Sequence, residues 1–182
     1  MPDISDAYLD DLFRSLRGHK RLADNALVQL NDQQFFAAPD AGDNSVAIIV
    51  KHVAGNLHSR FTDFLTSDGE KADRNRDQEF EIAKDATREQ IMSRWEQHWQ
   101  LLFETINSLQ ADDLERTITI RAQPHTVFQA LQRAMSHLAY HIGQIVWLAK
   151  HWKGAEWQSL SVPKGQSEQF RAKMIEKYKA QP

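Results

Sequence analysis

Four long stretches of this chain repeat apolar residues at helical spacing, and that repeat limits the fold more than any other feature. From about Ser5 to Leu30, the residues Tyr8, Leu9, Leu12, Phe13, Leu16, Ala23, Leu27 and Leu30 fall on one stripe. The second stretch opens at Asn44 or Ser45, either of which suits a helix cap, and aligns Val46, Ile49, Val50, Val53, Leu57, Phe61 and Phe64. Its expected stop is near Gly69. The third opens at Thr87, with Gln90 at capping-box spacing, and carries Ile91, Met92, Trp95, Trp99, Leu102, Phe103, Ile106 and Leu109. The fourth runs from about Val127 to Trp152 and ends at Gly154. Helices of roughly 20 to 26 residues, about 30 to 39 Å long, suit an all-α four-helix bundle.

The connecting segments read differently. "FFAAPDAGDNS" breaks the first stripe with Pro39, Gly42 and Asn44. "DGEKADRNRDQEFEI" mixes charges without periodicity and reads as a long, solvated loop. Thr117 to Ile120 alternates and is β-branched, so a short extended piece is expected before the fourth helix, closed by Pro124. "SLSVPKGQS" is a loop, and "SEQFRAKMIEKYKA" is a short C-terminal helix. The 182 residues contain no visible repeat and suit one domain over 1–182.

Composition excludes several functions. A net charge of -3 with no basic patch argues against a nucleic-acid partner. No apolar run reaches about 18 residues, so no membrane span is expected. The acidic start "MPDISDAYLDDLF" lacks the basic and apolar blocks of a secretory leader, which makes the cytoplasm the expected compartment. Cysteine is absent, so a metal site would have to use histidine, carboxylate and water.

Within the fourth stretch, "MSHLAYHIGQIVW" places His137 and His141 one helical turn apart. Eight histidines in 182 residues make about a third of such a pair by chance, so spacing alone is weak. Their neighbours say more. Ala130, Ala134, His137, His141, Ile145 and Leu148 share one stripe, which leaves two alternatives: core histidines bonded to polar neighbours, or ligands of a metal. His52, between Ile49 and Val53, is the best third ligand by pattern. His19 and His98 lie on the first and third stripes and could line the same cavity, whereas His58, His125 and His151 read as surface or cap residues. No glutamate separates the pair, so the metalloprotease motif is missing. The glutamate and paired cysteines of zinc deaminases and the Glu-x-x-His steps of carboxylate di-iron sites are missing too. Asn56 and Arg60 follow His52 by one and two turns, and Arg60 would meet either an anionic substrate or a loop carboxylate. Arg133 and Gln144 flank the helical pair as residues positioned behind it. Gly55 marks close packing beside the site, and Trp147, Trp152 and Trp157 mark a face for the tail helix or for a second copy.

"HLAYHIGQIVWLAK", preceded by "QPHTVFQALQRA", resembles the last bundle helix of the DinB-like superfamily of DinB and YfiT-like metalloenzymes. "IIVKHVAGNLHSRFTDFLTSDGEKADRNRDQEF" and "LSVPKGQSEQF" resemble one bacterial branch of it, known mainly as a family of unknown function. The resemblance spans roughly residues 5 to 175. It implies a four-helix bundle holding a divalent metal, zinc or nickel ahead of iron, cobalt or manganese, on His52, His137 and His141. It also implies a small-molecule substrate and a homodimer. Characterised relatives include thiol S-transferases and a thiol-dependent isomerase that use low-molecular-weight thiols. Three neutral imidazoles leave a metal its charge and an open position, suited to activating water or a bound thiol. The expected function is therefore a metal-dependent enzyme, a thiol-dependent S-transferase or isomerase acting on a small electrophile. The alternatives are a metal-dependent hydrolase or a non-catalytic metal- or ligand-binding protein.

Overall fold

The computed structural model describes residues 4–179. Four long helices dominate it: α1 (Ile4–Leu27), α3 (Val46–Phe61), α4 (Arg88–Ser108) and α5 (Val127–Lys153). A short α2 (Asp32–Phe36) follows α1, and α6 (Ser167–Lys179) comes last. Ala180, the final residue of the expected tail helix, lies outside the described residues, as do the first three residues of the chain.

Local chemistry sets the helix boundaries. The Ser45 side chain accepts the Ile48 N–H and opens α3. Thr87 with Gln90, and Thr126 with Gln129, form reciprocal capping boxes at the starts of α4 and α5. Gly154, at φ 53°, ends α5 in a conformation that glycine tolerates best.

Three sequence expectations need correction. First, α3 stops at Phe61 rather than near Gly69. Thr62 turns extended and Asp63 takes φ 48°, yet Phe64 stays buried and stacks on Phe61. The apolar spacing therefore continues past the helix that seemed to produce it. Second, the segment after α1 contains α2, started by a capping box between Asn31 and Gln34, and it buries Phe35 completely. Third, Pro124 does not close the extended piece. Strand β1 (Thr117–Ile120) pairs antiparallel with β2 (Gln123–Thr126), and Pro124 faces Thr119 within the pair. The turn between them is Arg121–Ala122, both with positive φ.

Helix α1 packs on α5 and α4, and α3 packs on α4 and α5. Trp95, Trp99, Leu102, Leu131, Leu138, Ile142 and Ile145 are fully buried where these helices meet. Each such side chain contributes about 1.5–3 kcal/mol by leaving water. In contrast, α6 buries no residue. Among the described residues, no helix is long and apolar enough to cross a membrane.

The charged segment after α3 is tied down. Lys51 donates from α3 to the carbonyls of Gln78 and Glu81, holding a 3-10 turn (Asp77–Phe80) against the helix. Asp68 accepts the backbone N–H groups of Arg121 and Ala122, which fastens the hairpin turn to the same segment. A bond from the Glu70 N–H, and then those from Ala122 and Arg121, hold the Asp68 carboxyl well below the usual carboxylate range.

Candidate metal centre

Helix α3 supplies His52, which is buried, and α5 supplies His137 and His141, which are half-buried. The Nε2 atom of His137 lies 3.3 Å from His52 Nε2 and 3.1 Å from His141 Nε2. One ligand atom from each of the three residues lies within 4.8 Å of the others. Tetrahedral zinc with Zn–N bonds of about 2.0–2.1 Å separates neighbouring nitrogens by roughly 3.3 Å. The two separations at His137 match that spacing, and the third pair lies within 4.8 Å.

The outer nitrogens decide where the lone pairs point. Glu79 Oε2 lies 2.8 Å from His52 Nδ1, and an ionised carboxylate only accepts, so Nδ1 carries the proton. Burial alone would raise the Glu79 pKa. Hydrogen bonds from His52 and Arg74 more than offset it and hold the carboxyl below the usual glutamate range. The Arg74 guanidinium grips both Glu79 oxygens, at 2.8 and 3.0 Å. In the same way, Gln144 Oε1 accepts from His141 Nδ1 at 2.9 Å. In their neutral forms both imidazoles thus present a bare Nε2 to the centre. His137 can place at most one proton between two such lone pairs. Burial, and then the positive charge of His141, His52, Arg60 and Arg74, pushes the His137 pKa down to about 3. Burial also lowers His141, against the opposing bond to Gln144. His137 and His141 are therefore neutral at physiological pH, as metal ligation requires.

Gly55 belongs to this arrangement. A Cβ at that position would lie 2.5 Å from Glu79 Oε1, so the glycine admits the carboxylate that orients His52. Phe80 then lies against the His52 ring, with centroids 4.7 Å apart.

The three histidines line a cavity of about 430 Å³ that also touches Asn56, Arg60, Arg133 and Gln144. That volume is in the range of small-molecule sites. Asn56 and Arg133 make no side-chain bond to the histidines, whereas Gln144 holds His141 directly. Arg60 does what the loop-carboxylate reading expected: it pairs with Glu70 at 3.0 Å and bonds the Gly69 carbonyl. His19 and His98 do not line this cavity. His98 lies against exposed His58, the rings tilted by 31°, at a separate hollow between α3 and α4, and His19 lies half-buried on α1. Trp147 is exposed and stacks on His151, while Trp152 and Trp157 pack partly against the core. The functional residues that sequence reasoning missed are Glu79 and Phe80. Both sit in the charged segment, and their only signal was an acid–aromatic pair in an otherwise polar run.

A model of the protein family of unknown function DUF1572 matches residues 3–166. The chain belongs to this family. The match takes in all three histidines, Glu79 and Gln144, and it ends immediately before α6. No curated protein matches the chain.

Proposed function

We propose that this DUF1572 chain is a metal-dependent enzyme of the DinB-like kind, a four-helix bundle in which His52, His137 and His141 hold one divalent ion, zinc or nickel first. The observation that carries the reading is the convergence of the three Nε2 atoms, two of them on rings whose Nδ1–H is held by Glu79 and Gln144. An ion held there would supply positive charge and an open position for activating a water or thiol and polarising an electrophile. All three histidines line the cavity, and Glu79 and Gln144 hold the rings of His52 and His141.

The reaction we propose is transfer or isomerisation that depends on a soluble thiol. Among the described residues, no Asp or Glu lines the cavity, so no carboxylate is placed to take a proton from attacking water. A thiol ionises more readily than water and relies less on such a base. The chain has no cysteine, so the thiol must come from solution. The proposal extends to a homodimer, since Tyr140 and Trp147 stand exposed on α5. Light scattering of the purified protein checks that part.

Metal analysis of tag-free protein tests the centre. Wild type is expected to hold about one ion per chain after supplementation, and His137→Ala and His141→Ala to lose it. Equally little metal in all three would end the proposal. A cobalt-substituted sample tests the reaction class. Its spectrum should change on adding a soluble thiol, whereas turnover of simple esters without thiol would put a hydrolase in its place.

A further inference from the structure

The cavity wall is rich in arginine. Five of the chain's twelve arginines line it, namely Arg60, Arg74, Arg76, Arg121 and Arg133. None of its ten lysines does so and, among the described residues, no carboxylate does. This concentration occurs in a chain whose net charge is -3. Three of the five are ion-paired. Arg60, Arg74 and Arg121 all reach Glu70 Oε2, at 3.0, 3.2 and 3.1 Å, and Arg74 also holds Glu79. Two carboxylates thus face three guanidiniums. The other two arginines enter no ion pair among the described residues. Arg76 lies over the Phe80 ring at 5.0 Å, beside His52. Arg133 stands one turn before His137 on α5. The interior of the cavity is part apolar, with Phe64, Ile118 and Ala134. Uncompensated positive charge over such a surface concentrates anions.

We infer that the molecule bound here is an anion: one end faces the three histidines, and a carboxylate or phosphoryl group meets Arg76 and Arg133. Planar guanidinium forks suit either oxyanion. Only the end facing the histidines depends on the metal reading above. The anionic end stands on the arginines alone.

The test has two arms, both on the full chain at low salt. In the first, chelator-treated protein is titrated calorimetrically with glutarate, with inorganic phosphate, and with uncharged glutaramide as control. At least one anion should bind about tenfold more tightly than glutaramide, and the preference should weaken in 0.2 M salt. It should disappear in Arg76→Gln/Arg133→Gln, a variant of two exposed side chains whose folding is checked by its melting temperature. Tighter glutarate assigns a carboxylate, and tighter phosphate a phosphoryl group. In the second arm, zinc-loaded protein is titrated with acetohydroxamate, succinic acid monohydroxamate and phosphonoacetohydroxamate. The charged tails should again gain about tenfold over the neutral one, and lose it in the variant. Anions that bind no better than their neutral counterparts, or a preference that survives both substitutions, overturn the inference. If wild type takes up neither zinc nor acetohydroxamate, the metal reading fails while the first arm still decides this one.

Discussion

Replacing Gly55 by alanine is a severe test of how the centre is built. In an exposed helix the change would stabilise by up to ~1 kcal/mol. Here the new Cβ would lie 2.5 Å from Glu79 Oε1 and 2.9 Å from its carboxyl carbon. Something must move, and Glu79 has nowhere free to go. It is buried, Arg74 holds both its oxygens, and Oε2 accepts His52. Breaking a buried ion pair on one side costs about 3–5 kcal/mol. Set against the propensity gain, a net loss of about 2–4 kcal/mol is expected. For a chain of this length each kcal/mol shifts melting by about 2–4 °C, so the drop should be about 4–16 °C. Gly143, also helical, has nothing within 4 Å of its would-be Cβ, and Gly143→Ala is expected to leave melting unchanged or raise it slightly. Thermal unfolding followed by circular dichroism reads both. Adding Glu79→Ala supplies the cycle: the Gly55→Ala penalty should largely vanish in that background. A Gly55→Ala protein that melts at or above wild type, or a penalty unchanged when Glu79 is gone, would refute the reasoning.

Asp68→Asn should cost about 1 kcal/mol near pH 7, because one of the carboxylate oxygens that accept backbone N–H groups becomes an amide. The Asp68 pKa is depressed in the folded protein, so its contribution is complete above the ordinary aspartate value. It is lost as pH falls through that value toward the depressed one. Denaturant titrations of both proteins should therefore converge as pH falls below about 4, and a gap that widens in acid would contradict this. Gln144→Ala, which frees His141 Nδ1, should weaken metal binding about 10- to 100-fold with little loss of melting temperature in the metal-free protein. Competition with a chelator of known affinity measures it, and unchanged affinity would remove Gln144 from the centre.

The helices were legible because their stripes and caps agree. Thr87 with Gln90 marks the start of α4 in the sequence and caps it in space. The end of α3 was not legible, because Phe61 and Phe64 keep helical spacing while the chain turns at Asp63, without the glycine or proline that usually signals a stop. The hairpin turn was hidden for a related reason: its two positive-φ positions are Arg121 and Ala122 rather than Asn–Gly. At the centre, His52, His137 and His141 share burial and spacing patterns that sequence shows, and the structure brings their ligand atoms together. Glu79 is separated from His52 by 27 positions on an aperiodic segment, so only the folded chain pairs them. The same segment supplies the Glu70 that takes up Arg60.

Glu70 also has a consequence in time. Its Oε2 atom joins Arg60 on α3, Arg74 four residues away, and Arg121 at a separation of 51 positions. The first two contacts need little chain closure, but the third must wait until the hairpin ahead of α5 has docked. The helix pair α3–α4 can therefore form while the rim of the cavity is still open. Residues 68–80 and the hairpin should gain amide protection together, as one late cooperative step. A polypeptide emerging from the ribosome would carry His52 long before it had a pocket to place it in.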